Sequence, residues 1–406
     1  MNRGSYLQAS FSLPPKYWRL RSFVLERWDH RCSKIAVGLD IPPQPPLGAV
    51  RGLLVFARLI RLDSVMVADH FQSLLPTAIW DEEFSWVAAQ NDTPNELFDY
   101  QVLLGYLASR AGRLRIGVGV TEPIRRHPIL IAQAMLTLAY MTKRPPILGI
   151  GAGERENIDP YGLDFAKPVS RLEEALQIIR LCFSAQGPVY FHGEHYQLHR
   201  ASMDLRPLAG RHPEVWVAAD GPRMLRLTGK YGDGWYPTAQ LSPEAYAGKL
   251  EVVRASAREA GRDPAAITPA LHQFVAIAPS EQEARAMLLN TKAGRYNALL
   301  APADQWHKAG SEHPFGKQFR GYFDFVPERY DRKTLDEALA AVPTELIGCG
   351  LLWGTPKQVA SKLRAFGEVG LRHVVLSLAS ALISRRVALY GLRAIRSIAR
   401  LLSSEQ

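Results

Sequence analysis

The sequence predicts an α/β protein, a (β/α)8 TIM barrel with insertions at the C-terminal face of its strands. Short apolar runs alternate with longer helical patterns along most of the chain. Eight such runs are found, near residues 35, 64, 114, 147, 215, 234, 271 and 373. They are apolar throughout rather than alternating, as suits parallel strands covered by helices on the outside. Eight strand–helix units favour a closed barrel over an open sheet.

The first run, IAVGL at 35–39, ends at Asp40 and a proline-rich loop, and a helical pattern follows from Leu47 to Ile60. SVMVADH gives the second strand, closed by Asp69 and His70, before a helix over Glu96–Arg110. LRIGVGV at 114–120 is the third strand, with a helix over Pro128–Met141, and Ile147–Ile150 is the fourth, with a helix over Pro168–Phe183. VWVAA at 215–219 and GWYP at 234–237 supply strands five and six, each followed by a helix, the second over Pro243–Ala260. A strand near Leu271–Ile277 is followed by a helix from Glu281, and a helix over Pro356–Phe366 precedes the last strand, HVVLSL at 373–378. Two stretches break the rhythm. Residues 184–214 look like a β-hairpin excursion. Residues 296–345 hold aromatics without a barrel unit and are a candidate substrate lid.

Three domains of sequence follow: an N-terminal extension over 1–33, the barrel over 34–380, and a basic amphipathic helix over 381–406. The extension lacks the continuous apolar stretch of a secretory signal. The 406 residues are 47% hydrophobic and 22% charged, with a formal net charge of +10. That balance suits an anionic cofactor or an acidic surface and selects neither. Cys32, Cys182 and Cys349 lie far apart without metal-ligand spacing, which points to reduced thiols and a cytoplasmic protein. Basic and aromatic residues do not interleave, so nucleic acid is not an expected partner.

Barrel active sites form where the strands end. Here the strand ends offer Asp40, Asp69–His70, Thr121–Glu122, Gly151–Asn157, Ala219–Gly221 and Tyr236. GIGAGERENIDPYG, from Gly149 to Gly162, lacks the strand–turn–helix setting of a dinucleotide fingerprint. Its glycines better suit backbone drawn close to a planar ring, or simply a tight turn. No HxxxH or HExxH pairing accompanies His70, so no metal is expected. Gly221–Pro222 opens a helix whose free N–H groups form an anion site, with Arg223 and Arg226 beside it; an ordinary helix start is the alternative. In the tail, Arg386, Arg393 and Arg400 share one helical face, while Val387, Leu392, Ile395, Ile398, Leu401 and Leu402 fill much of the rest. Such a helix lies on an anionic membrane, or packs on the barrel or a second subunit.

VADHF, GVGVTEPIRRHP, LGIGAGERENIDPYG and VAADGPRMLRLTGKYGDGWYP, in that order, resemble the luciferase-like superfamily, in its branch that uses the deazaflavin coenzyme F420. The likeness runs from about Lys34 to Ser380. It implies a non-proline cis peptide at Gly119–Val120 behind the cofactor ring. It implies that Ala152, Gly153, Glu154 and Asn157 line the deazaflavin. Ala218, Ala219, Gly221, Pro222 and Arg223 would hold its phosphate side, and His70 with Asp69 would sit by the reacting carbon. Ser73–Leu74–Leu75 departs from the sugar-phosphate dehydrogenases of the branch, which have a tryptophan there, and argues against glucose 6-phosphate. Asp220 replaces a glycine frequent in the phosphate turn. The stretch from the fourth-strand loop to GWYP is similar to ketoreductases of very long lipids.

The expected reaction is hydride transfer between the deazaflavin and a carbonyl, with His70 and then Glu154 as candidate acids; Glu154 would need burial to raise its pKa. The rivals are an FMN-dependent monooxygenase on the same barrel and a non-catalytic barrel that binds lipid or a partner. A homodimer is expected by analogy with the family.

Overall fold

The computed structural model describes residues 34–238 and 241–403, so the extension expected over 1–33 lies outside the described residues. The strands are β1 (Ala36–Ile41), β2 (Ser64–Val67), β3 (Arg115–Thr121), β4 (Ile147–Ile150), β5 (Val189–His192), β6 (Gln197–Ala201), β7 (Glu214–Val217), β8 (Gly234–Trp235), β9 (Thr268–Ile277), β10 (Leu351–Gly354) and β11 (His373–Leu378). The helices are α1 (Leu47–Leu59), α2 (Tyr100–Ala111), α3 (Pro128–Met141), α4 (Pro168–Ser184), α5 (Pro222–Tyr231), α6 (Pro243–Glu259), α7 (Glu281–Asn290), α8 (Lys292–Leu299), α9 (Ala303–Lys308), α10 (Arg332–Ala340), α11 (Pro356–Glu368) and α12 (Arg385–Ser403).

Eight parallel strands close in the order β11, β1, β2, β3, β4, β7, β8, β9, with β9 returning to β11. These are the eight runs read from the sequence. Every residue of β2 and β4 is buried, which is why those strands lack polar alternation. Met66, Ile147, Trp216, Tyr236, Ala270 and Val375 fill the barrel interior. A larger apolar layer joins the outer faces of the strands to the helices. Helix α2 starts later than expected because Asp99 accepts the N–H groups of Gln101 and Val102, a side-chain cap that fixes the first turn at Tyr100.

β10 is an addition. It pairs with the C-terminal half of β9, on the edge that two-residue β8 leaves open. The excursion at 184–214 does hold a hairpin, β5 with β6. Its turn is seated on α4: buried Glu174 accepts the N–H groups of Glu194, His195 and Tyr196. Tyr196 Oη donates to Pro123 O, which ties the hairpin to the loop after β3.

The candidate lid at 296–345 is helical, and it is larger than expected. Tyr296, Trp306, Phe319, Phe325, Leu335 and Leu339 form a core of their own, completed by Ile79, Trp80 and Phe84 from the long connection after β2. Two insertions, one after β2 and one after β9, therefore build one roof. Ion pairs Arg332–Asp81 (2.7 Å) and Lys292–Glu83 (2.9 Å) add to the join.

The tail helix α12 takes the outer position after β11, packed against α11 and strands β1, β9 and β11. Ile395, Ile398 and Leu402 are buried there, so much of its apolar face is spent on the barrel. No helix among the described residues is long and apolar enough to cross a membrane.

Candidate active site

Buried Asn157, in the loop after β4, organises the rim. Its Oδ1 accepts the backbone N–H groups of Phe71 (2.6 Å) and Gln72 (3.1 Å), which holds the loop after β2. That fixes the amide's orientation, because only the oxygen accepts. Nδ2 therefore donates to His70 Nδ1 (2.7 Å) and to Glu156 Oε1 (2.8 Å). His70 Nδ1 must then be the acceptor, and the neutral ring carries its proton on Nε2. This edge lies 4.0 Å from Glu154 Oε2.

Two acids thus flank one imidazole. Glu154 is partly exposed, whereas Glu156 is fully buried, 3.6 Å from Nδ1 through Oε1. Burial, and then the nearby Glu154 carboxylate, push the Glu156 pKa well above the usual carboxylate range. The burial that was asked of Glu154 falls on Glu156 instead. His70, Glu154 and Glu156 offer ligand atoms within 4.8 Å of one another. An acid whose pKa is pushed up by burial, and a nitrogen already receiving an N–H, make a poor cation site.

Asp69, expected beside His70 at the reacting carbon, is engaged elsewhere. Its carboxylate accepts from Thr121 Oγ1 (2.6 Å) and pairs with Arg125 (3.1 Å) and Arg126 (3.6 Å). Arg125 also donates to the Asp69 carbonyl (2.8 Å) and to Glu122. Asp69 anchors the His70 loop to the end of β3. Asn157, likewise expected to line the ring, has all four of its hydrogen-bonding positions satisfied by protein.

The remaining expected residues frame the mouth. The Gly119–Val120 peptide is cis, and Gly153 has φ +94°. A Cβ on Gly153 would stand 2.7 Å from Ile158 Cδ1, so the turn needs glycine. Ala152 and Ala218 are half-buried; Ala219 is buried, its carbonyl receiving Trp235 Nε1–H (2.9 Å). Gly221 and Pro222 are exposed at the start of α5. Arg223 pairs with Glu173 (2.8 Å) on the surface. The charge of Asp220 is met by Lys249 Nζ, 2.7 Å away, a compensation that the sequence does not display because Lys249 lies on α6.

Near the strand ends, Tyr236 Oη, His272 Nε2 and Gln72 Nε2 are buried without a hydrogen-bond partner among the described residues. Burial, and then Asp40, raise the Tyr236 pKa well above its ordinary value. Ser377 donates to Asp40 (2.7 Å), and His272 Nε2 lies 3.8 Å from it. Apolar Met66, Val120 and Trp216 pack around Tyr236. Unpartnered polar atoms over an apolar floor fit a planar ring with polar edges, such as a flavin or deazaflavin.

Comparison with known proteins places the chain in a family. The chain belongs to the luciferase-like family: the family described as Luciferase-like monooxygenase matches residues 40–373, from β1 to the start of β11. It is 39% identical over 336 residues to the phthiodiolone/phenolphthiodiolone dimycocerosates ketoreductase of Mycobacterium tuberculosis, covering 82% of this chain and 88% of that protein. It is 33% identical over 210 residues to the F420-dependent glucose-6-phosphate dehydrogenase of Kineococcus radiotolerans, covering 50% of this chain and 57% of that one. A solved F420-dependent secondary alcohol dehydrogenase, in complex with an F420–acetone adduct, has the same fold, with TM-score 0.69 at 19% identity over 91% of this chain and 100% of that one.

Proposed function

We propose that this chain is an F420-dependent oxidoreductase that reduces the keto group of a long-chain lipid to a secondary alcohol. The observation that carries the chemistry is the His70 ring, fixed by Asn157 with its N–H edge beside Glu154 at the barrel mouth. The 39% identity to a lipid ketoreductase supports the substrate class. Phe71, Tyr161, Leu163 and Phe323 lie exposed on loops at this end, an apolar setting suited to an alkyl substrate.

Bound deazaflavin would supply or accept the hydride. Tyr236, His272, Gln72 and the small residues Ala152, Gly153, Ala218 and Ala219 would hold the ring, and the start of α5 its phosphate. His70 Nε2–H would meet the oxygen on which charge develops as the carbonyl is reduced. The roof would exclude water: the pKa of partly buried Tyr322 is raised by burial, and then by Cys349 and Glu154.

Equilibrium titration of the apo protein with oxidised F420 and, in parallel, with FMN tests the cofactor. Preference for F420, followed by its oxidation on adding long-chain ketones, supports the assignment. Preference for FMN turns it to a monooxygenase, and binding of neither to a non-catalytic barrel.

Two contacts belong to the same proposal. A groove of about 480 Å³ between α1 and α12 combines Phe56, Leu59 and Ile60 with Arg393, Arg396 and Arg400, a composition that suits an anionic lipid surface. Flotation with phosphatidylglycerol vesicles, absent with phosphatidylcholine, checks it. Exposed Val102 on α2 and Leu130, Tyr140 and Met141 on α3 offer a face for a homodimer, which light scattering would report.

A further inference from the structure

Four neighbouring helices on the outside of the barrel, α12, α1, α2 and α3, hold no aspartate or glutamate. They are contiguous: α1 lines the groove with α12 and touches α2, which touches α3. Elsewhere in the outer layer α4, α6, α7 and α11 all hold acids. The positive charge of the chain therefore shows on one flank.

Chain direction places the cations within that flank. Each outer helix leaves the mouth and runs to the closed, N-terminal end of the barrel. The last turn of α1 and the second half of α12 thus meet near that end, where Phe56, Leu59 and Ile60 face Arg393, Arg396 and Arg400. The turns leading into β2, β3 and β4 lie at the same end and add exposed Arg61, Arg113 and Lys143. Arg58 donates to Arg110 O (2.7 Å), which ties α1 to the end of α2 and joins the turns and the groove in one corner. Arg61, Arg113, Lys143, Arg393, Arg396 and Arg400 make no ion pair with a described residue. The one acid in these turns, Asp63, is taken by Arg144 (2.8 Å). Leu59 stands beside them, 76% exposed.

Unpaired cations gathered on one face repel a second copy of that face and call for an anionic partner. The apolar tip narrows the choice. On a nucleic-acid backbone Leu59 would stay in water. At a bilayer it enters the boundary of headgroups and acyl chains, while the arginines meet the headgroups.

We propose that the chain docks on an anionic bilayer by this closed-end corner, with Leu59 inserted and the mouth turned away from the surface. This rests on the lipid contact of the α1–α12 groove proposed above and extends it to the turns before β2, β3 and β4. Exposed Phe71 and Phe323, at the mouth, then lie at the opposite end from the bilayer. The surface is an anchor, and a lipid substrate reaches the mouth from the aqueous side.

The test uses the full chain and phosphatidylglycerol vesicles, with no substrate or F420. Two sets of exposed side chains are changed separately: Arg61→Gln, Arg113→Gln and Lys143→Gln together, and Arg393→Gln, Arg396→Gln and Arg400→Gln together. At about five-fold in partitioning per basic residue near an anionic surface, each set lowers binding about 10²-fold, and Leu59→Asp lowers it as well. An NBD fluorophore on Leu59→Cys or Phe323→Cys reads the orientation independently, in a chain with Cys32→Ser and Cys349→Ser, since Cys182 is buried. The Leu59→Cys probe brightens on vesicles and the Phe323→Cys probe does not. Unchanged binding in the first set alone, or brightening at Phe323→Cys instead, overturns the corner and leaves the groove contact standing. Unchanged binding in the second set overturns the groove contact and the corner with it. A wild-type chain that does not float overturns both, and nucleic-acid binding or dimerisation lost in the same variants then assigns the face to another occupant.

Discussion

Replacing Asn157 separates structural support from proton placement. Its side chain is buried and makes four hydrogen bonds: to Phe71 N, Gln72 N, His70 Nδ1 and Glu156 Oε1. At about 0.5–1.5 kcal/mol net each, Asn157→Ala loses about 2–6 kcal/mol, and the upper half is expected because the groups left behind are buried. The loss falls first on the loop after β2, so hydrogen exchange at Phe71 and Gln72 should rise before global unfolding. Asn157→Asp is the sharper probe. A carboxylate still accepts the two backbone N–H groups, but it now accepts from His70 as well. The neutral ring must then place its proton on Nδ1 and turn a bare Nε2 to the mouth. Turnover should drop about 10²–10⁴-fold, the usual share of a positioned acid. The ¹⁵N shifts of His70 should show the switched tautomer directly. An Asn157→Asp enzyme with turnover within about three-fold of wild type, or with its proton still on Nε2, would refute the assignment of His70 as donor.

Gly193→Ala puts a Cβ 2.2 Å from Glu174 Oε2 and should displace the carboxylate from the hairpin turn. A loss of about 1–3 kcal/mol in denaturant titration, with faster exchange at Glu194–Tyr196, checks it. Arg125→Met leaves the buried carboxylates of Asp69 and Glu122 without their main partner, and about 3–5 kcal/mol should be lost in the same titration. His373 is fully buried; burial lowers its pKa to about 4, with Asp63 opposing. The unfolded chain therefore protonates first as pH falls. Stability from this group is intact above about pH 6.5 and declines by about 3 kcal/mol on the way to pH 4. Thermal melts across that window should show the slope, and His373→Gln should flatten it.

The barrel was legible because its signal is long-range repetition: eight apolar runs, each followed by a helix, survive errors of a few residues at any one boundary. β10 was not legible, since LLW between Gly350 and Gly354 is too short to stand out and pairs only where β8 stops. His70 and Glu154 were singled out because strand ends are where barrels place chemistry. Glu156 escaped because nothing in GERENIDP says which of two acids turns inward; the 3₁₀ turn at Arg155–Asn157 decides it. The partners of Asp69 were hidden for a similar reason. Its arginine partners come from the loop after β3, and adjacency to His70 in sequence concealed that the two side chains go to different partners. The connection after β2 offered a clue in Trp80, Phe84 and Trp86, three large aromatics in a stretch otherwise without a strong pattern.

The roof over the mouth has its own apolar core, separate from that of the barrel, and is drawn from two distant parts of the chain. It is therefore a cooperative unit in its own right, able to loosen without the barrel melting. Substitutions in its interior, at Trp306 or Phe325 for instance, should change its stability before that of the barrel. The packing of the roof can then change by substitution without disturbing the side chains that meet at the strand ends.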